Sequence, residues 1–295
     1  MKNTVFTGAA TAIVTPFKDG VVDYEQFGRL IDWQIEQGIN ALVVAGTTGE
    51  GSTLTDEEHK AVIKYSVERV NHRIPVIAGT GSNDTAYAIA LTQYACEVGA
   101  DAMLLITPYY NKATQKGMIQ SFRLIADAST KPCILYNVPS RTGCNLLPES
   151  VAELAGHPNI VAIKEACGNI SQIAKVAALC GENIDIYSGN DDQIVPILSL
   201  GGKGVISVLS NIAPADTVAI CEKYANGDTK GAAALQLAYL ELIDALFCEV
   251  NPIPVKAATA AMGFGENELR LPLTPLEPAH EQTLLALMRR HGIID

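Results

Sequence analysis

The stretch IVAIKEA (160–166) is apolar up to one lysine, Lys164, and turns polar at Glu165. A strand with one wet face alternates apolar and polar residues, whereas a run apolar at nearly every position fits a parallel strand covered on both faces. Seven more runs share this character: GAATAIVTP (8–16), ALVVAGT (41–47), PVIAGT (75–80), AMLLIT (102–107), CILYNV (133–138), DIYSGN (185–190) and KGVISV (203–208). IVAIKEA is the sixth of these eight.

Helical patterns separate most of them. Asp23 opens one that Gly38 closes, with Tyr24, Phe27, Leu30, Ile31 and Ile35 on one face. Thr55-Asp56-Glu57-Glu58 has the form of a capping box ahead of Val62, Ile63 and Val67. A third starts at Asn83 or Asp84 and runs toward Gly99. Eight strand–helix units, spaced by roughly 20–35 residues, predict an α/β fold of the (β/α)8 TIM-barrel type. A doubly wound sheet would use fewer strands and carry a phosphate fingerprint at its first turn, but TPFKDG (15–20) holds no GxGxxG. The expected organisation is a barrel over 1–227 and a C-terminal helical appendage over 228–295, where GAAALQLAYLELIDALF (231–247) and AHEQTLLALMRRHG (279–292) are helical in pattern.

With 295 residues, 48% of them hydrophobic, the chain can bury a large core. A formal net charge of −11 argues against nucleic acid, which needs clustered cations. No apolar stretch is long enough to span a membrane. The N-terminal MKNTVFTGAATAIVTPF lacks the features of an export signal, so a cytoplasmic protein is expected. The seven cysteines form no CxxC and suit reduced, buried thiols. The five histidines form no HxH or HxxxH pair and are expected away from the strand ends, so no metal site is expected. A Ser-His-Asp hydrolase would need GxSxG, which is missing.

In such barrels the C-terminal strand ends and the loops after them face the active site. The eight runs put there Thr15-Pro16, Gly46-Thr47-Thr48-Gly49-Glu50, Gly79-Thr80-Gly81, Thr107-Pro108-Tyr109-Tyr110, Tyr136-Asn137, Lys164-Glu165, Ser188-Gly189-Asn190 and Ile206-Ser207. Lys164 draws most interest. Burial disfavours its ammonium form, which lowers the pKa and frees a nucleophilic amine for imine formation with a carbonyl. A lysine that snorkels to solvent or pairs with Glu165 is the alternative. Thr47 and Thr48 offer hydroxyls and main-chain N–H groups to a carboxylate, or simply form a tight turn. Tyr136 could relay protons, and Arg141 could clamp a carboxylate through two hydrogen bonds. A core tyrosine and a surface arginine fit the same positions, and Tyr109-Tyr110 could be packing aromatics.

Taken together, GTTGE (46–50), TPYYNK (107–112), YNVPSRTG (136–143), IKEA (163–166) and GGKGVISV (201–208) resemble the dihydrodipicolinate synthase family. The family is also called 4-hydroxy-tetrahydrodipicolinate synthase, and shares the pyruvate-dependent aldolase superfamily with N-acetylneuraminate lyase. The similarity extends over the whole chain, including NPIPVK (251–256). It implies a cytoplasmic (β/α)8 barrel, assembled as a homotetramer (a dimer of dimers), that serves lysine and diaminopimelate biosynthesis. Its substrates would be pyruvate and L-aspartate 4-semialdehyde, with no metal or organic cofactor.

The resemblance also implies roles. Lys164 would form the imine with pyruvate. Tyr136 would be the general acid/base, with Thr47 and Tyr110 completing a proton relay; in the family that last tyrosine crosses the dimer interface into the neighbouring site. Thr48 would hold the pyruvate carboxylate, helped by main-chain atoms near Gly189 and Ile206, and Arg141 the carboxylate of the semialdehyde. Sialic-acid lyases resemble the chain around the lysine but usually lack the RTG arginine and carry GSTGE rather than GTTGE. Another 2-oxo acid aldolase of the superfamily is therefore the runner-up, and a catalytically silent barrel the third alternative.

Lysine-inhibited members bind lysine at the dimer interface, at positions that map to Gly51, Ser52, Asp56, His59, Asn83, Tyr87 and Tyr109. His59, Asn83 and Tyr109 match that pattern. Tyr87 stands where those members carry a glutamate for the lysine ammonium, and Asp56 where many have histidine. Feedback inhibition is expected to be weak or absent.

Overall fold

A computed structural model describes residues 4–295. Met1–Asn3, at the head of both the segment scanned for an export signal and the expected 1–227 unit, lie outside the described residues.

The eight apolar runs all form strands: β1 (Gly8–Ala12), β2 (Ala41–Val44), β3 (Val76–Gly79), β4 (Ala102–Ile106), β5 (Cys133–Asn137), β6 (Ile160–Glu165), β7 (Asp185–Ser188) and β8 (Gly204–Ser207). They close into an all-parallel barrel in sequence order, and β1 seals it by pairing with both β2 and β8 (Ala10↔Ala41, Gly8↔Gly204). The principal helices of the barrel wall are α1 (Tyr24–Glu36), α2 (Asp56–Val70), α3 (Thr85–Glu97), α4 (Gln115–Asp127), α5 (Pro139–Thr142), α6 (Pro148–Leu154), α7 (Ile170–Cys180), α8 (Ile194–Ser199) and α9 (Pro214–Ala225). Their starts follow the capping chemistry in the sequence. Asp23 accepts from the Gln26 N–H, Thr55 and Glu58 form the complete capping box, and Asp84 rather than Asn83 caps α3.

Side-chain alternation splits the core in two. Residues such as Ala10, Val43, Ile77, Leu104, Ile134, Ala162 and Ile206 fill the barrel interior, while the intervening ones (Ala9, Leu42, Leu135, Ile163, Val205) meet the helices. Lys164 has the parity of Ala162 and so points inward. Tyr187 closes the floor: its ring stacks on Phe6 at 4.2 Å and its hydroxyl donates to the Phe6 carbonyl at 2.7 Å.

The run read as 8–16 is a strand only to Ala12, and a small antiparallel hairpin (Phe17–Lys18 with Val21–Val22) follows it. Beyond α9 come α10 (Thr229–Ala238), α11 (Leu240–Ala245), α12 (Ile253–Ala261) and α13 (Pro278–Arg290). α10 packs along α9, and α13 packs on α11 and α12. The start of α12 returns to the C-terminal end of the barrel, where the strand-end residues lie.

Candidate active site

Strands β5 and β6 pair with Tyr136 opposite Lys164, which sets an amine beside a phenol on the inner face. The Lys164 Nζ sits 4.3 Å from the centre of the Tyr136 ring. Both residues are 6% exposed. Burial lowers the Lys164 pKa to about 7; Asp191 favours the ammonium and Arg141 opposes it, both to a smaller degree. A large fraction of neutral amine therefore exists near neutrality. Glu165 faces the other way, toward the helix layer, where Asn137 Nδ2 donates to its Oε1 at 3.1 Å. Neither snorkelling nor pairing with Glu165 describes Lys164.

Burial raises the Tyr136 pKa, against the pull of Arg141 and of the Thr47 hydroxyl within hydrogen-bonding reach. The phenol thus keeps its proton near neutrality and can hand it on. Thr47 and Thr48 occupy a loop folded back so closely that a Cβ on Gly51 would stand 2.3 Å from the Ala45 carbonyl oxygen. Thr48 is buried, and its Oγ accepts a hydrogen bond from Asn251 Nδ2 at 3.0 Å. Arg141 lies on the one-turn helix α5 and donates to the Asn251 carbonyl at 3.1 Å. At Gly189 a Cβ would meet Ala166 Cβ at 2.6 Å and Lys164 Cε at 3.1 Å, so only glycine leaves the lysine stem its place. Ile206 lies buried near the end of β8.

A cavity of about 570 Å³ runs from Thr47, Tyr136 and Arg141 outward to Ser52, Asp56, His59, Tyr87 and Tyr109. Two clusters that the sequence kept apart therefore share one opening. In the outer part, Asp56 pairs with Lys60 at 2.7 Å and is also hydrogen-bonded to Tyr87, whose pKa rises to about 12 through burial and then the Asp56 charge. Asn83 follows Ser82, a residue of the cavity lining, and its carbonyl accepts from Asn111.

One expectation changes. His59 is not away from the strand ends: its ring Nε2 hydrogen-bonds the Gly79 carbonyl at the end of β3, at 2.8 Å. The first turn of α2 brings it there, a position that strand ends alone do not reveal. Tyr110 is not gathered with Tyr136 and Thr47 within one chain. It is 88% exposed and held at φ +72°, a conformation uncommon for a non-glycine residue.

Several contributors were missed. Asp191 is buried, and its Oδ2 accepts from the Val208 and Leu209 N–H groups at 3.0 and 2.9 Å, fixing the loop after β8. It directly follows SGN (188–190), so an acid just past a strand end was the available signal. Lys256 is another: it forms an ion pair at 2.6 Å with Glu50, one of the strand-end residues, with side chains 2% and 1% exposed. Glu50 also accepts from the Arg270 N–H at 3.2 Å. Among the described residues no cluster of three or more His, Cys, Asp or Glu side chains could hold a metal ion. No described helix is long and apolar enough to cross a membrane.

The model of the dihydrodipicolinate synthetase family matches residues 5–291. The chain belongs to this family. A full-length relative from Acetivibrio thermocellus, a 4-hydroxy-tetrahydrodipicolinate synthase, is 52% identical over 294 residues, which cover all of both chains. Among solved structures, the dihydrodipicolinate synthase of Thermotoga maritima superposes with a TM-score of 0.97 at 43% identity, covering 99% of this chain and all of that one. The enzyme from Acinetobacter baumannii, solved in complex with pyruvate, gives 0.96 at 46% identity over 99% and 100% of the two chains. Dihydrodipicolinate synthases are lyases of the Schiff-base aldolase type in lysine and diaminopimelate biosynthesis, and the lysine in a closed parallel barrel matches that chemistry.

Proposed function

We propose that the chain condenses pyruvate with L-aspartate 4-semialdehyde to give 4-hydroxy-tetrahydrodipicolinate, with Lys164 as the nucleophile. The observation that carries this is a buried lysine amine, with its pKa near 7, beside a phenol that keeps its proton. The neutral amine adds to the ketone of pyruvate, and loss of water leaves an iminium ion. Loss of a methyl proton converts this to an enamine, whose carbon attacks the aldehyde. Tyr136, with Thr47, supplies the proton to the new alkoxide and accepts those released. Attack of the semialdehyde amine on the iminium carbon closes the ring and frees Lys164. Atoms and electrons balance without an oxidant, a metal or an organic cofactor.

Thr48 and main-chain atoms near Gly189 and Ile206 hold the pyruvate carboxylate, and Arg141 that of the second substrate. The exposed Tyr110 completes the relay in a neighbouring subunit of a homotetramer, and the enzyme works in the cytoplasm. Borohydride reduction in the presence of pyruvate will leave a 1-carboxyethyl group on the Lys164 amine, found on the peptide that carries it. Absence of that adduct overturns the function. Cleavage of N-acetylneuraminate without condensation of the semialdehyde points instead to the related lyase activity.

Arg141→Ala is expected to raise the KM for the semialdehyde roughly 10- to 100-fold, the scale of a lost charge-assisted contact. The yield of pyruvate adduct should stay near that of the unmodified enzyme. An unchanged semialdehyde KM removes Arg141 from this role. Lysine added to the assay is expected to leave the rate unchanged at micromolar concentration. Tyr87 offers its ammonium no carboxylate, and Asp56 is already neutralised by Lys60. Half-inhibition in the micromolar range contradicts this.

A further inference from the structure

The motif NPIPVK (251–256) lies outside the barrel strands, yet its first residue touches both groups assigned to substrate carboxylates. Asn251 Nδ2 donates to Thr48 Oγ at 3.0 Å, and the Asn251 main-chain carbonyl accepts from Arg141 at 3.1 Å. Asn251 is buried, and its side-chain Oδ1 is a buried atom without a hydrogen-bond partner. A buried amide that leaves an acceptor unsatisfied costs stability, and a functional task for its donor accounts for its presence.

A threonine hydroxyl has one proton and can either donate or accept toward a given neighbour. With Asn251 Nδ2–H donating to its oxygen, the Thr48 hydroxyl retains its proton for another acceptor. We propose that Asn251 is a positioning residue for the reaction: its side-chain amide sets the Thr48 hydroxyl as a donor to the pyruvate carboxylate. This rests on the carboxylate role given to Thr48 above. The two contacts differ in kind. Thr48 is held by the side chain and Arg141 by the main chain, so side-chain substitutions separate them. The helical tail thereby acts on the first substrate through residue identity and on the second through backbone position alone.

The test compares Asn251→Ala, Asn251→Asp, Thr48→Ala and the Thr48→Ala/Asn251→Ala double variant. Pyruvate affinity is read from the concentration dependence of borohydride-trapped adduct, and KM values for both substrates from steady-state rates. Asn251→Ala, which frees the hydroxyl to rotate, should weaken pyruvate binding roughly 3- to 10-fold. Asn251→Asp, which offers an acceptor of the same size, should weaken it further, by roughly tenfold or more. The semialdehyde KM should change less than about twofold in both, and Asn251→Ala should add nothing in the Thr48→Ala background. A merely structural role would move both substrates together. Unchanged pyruvate affinity in Asn251→Ala, or full additivity with Thr48→Ala, overturns the proposal. If the unsubstituted enzyme itself traps no pyruvate, the failure lies with the proposed function.

Discussion

Lys164→Ala will leave no borohydride-stable pyruvate adduct and will lower turnover by about 10³-fold or more, the scale lost when a covalent nucleophile is removed. The fold should survive. The ammonium form of Lys164 is disfavoured where it sits, so its removal deletes a buried polar group and not a packing anchor. A melting temperature equal to or above that of the parent is expected, the usual relation when a site tuned for reactivity is neutralised. The pH dependence supports the same assignment. The lowered pKa leaves the amine mostly protonated below about 7 and mostly neutral above it. Adduct formation at limiting pyruvate should therefore climb between about pH 6 and 8 and then level off. A rise displaced to pH 10 would show an ordinary, solvated lysine. Residual turnover within tenfold of the parent would remove Lys164 from the mechanism.

The largest effect on stability is expected at the Glu50–Lys256 pair. Its members are nearly inaccessible and bond at 2.6 Å, and the ammonium lies 4.0 Å from the centre of the Phe17 ring. Removing one partner of such a pair strands the other charge, at roughly 3–5 kcal/mol. Lys256→Met should therefore lower Tm by on the order of 6–10 °C. Adding Glu50→Gln removes the stranded charge while keeping an acceptor for the Arg270 N–H, and should recover most of the loss. A double variant no more stable than Lys256→Met would show that shape, rather than charge, is what the pair provides. Activity provides a second readout, since Glu50 ends the loop that carries Thr47 and Thr48.

The barrel was legible because burial on both faces leaves eight continuous apolar runs, and Lys164 was legible because it interrupts one of them. Tyr136, Thr47, Thr48 and Arg141 follow from strand-end positions, since the chain direction of a parallel barrel puts all those ends on one side. What escaped was set by distance along the chain. Asn251 meets Thr48 across 203 positions and Lys256 meets Glu50 across 206, so neither contact leaves a local pattern. His59 escaped for a different reason: one turn of helix carries it onto a strand end that belongs to the next unit. The first apolar run overshot the end of β1, because Ile13 and Val14 are as buried as the strand before them. Motif resemblance reaches into this gap by implying roles for Tyr110 and Arg141, though a single chain shows Tyr110 only as an exposed aromatic.

The contact between Glu50 and Lys256 also orders events in time. A ribosome makes the GTTGE loop within the first fifth of the chain and the lysine that neutralises it only near the last eighth. Between those moments the nascent protein can pair all eight strands, since β8 ends at Ser207, while the glutamate has no counter-charge to turn inward to. The substrate cradle thus gains its counter-charge only after every strand of the barrel has been made, so a chain cut short after the barrel would inherit the wall of the vessel without its fittings.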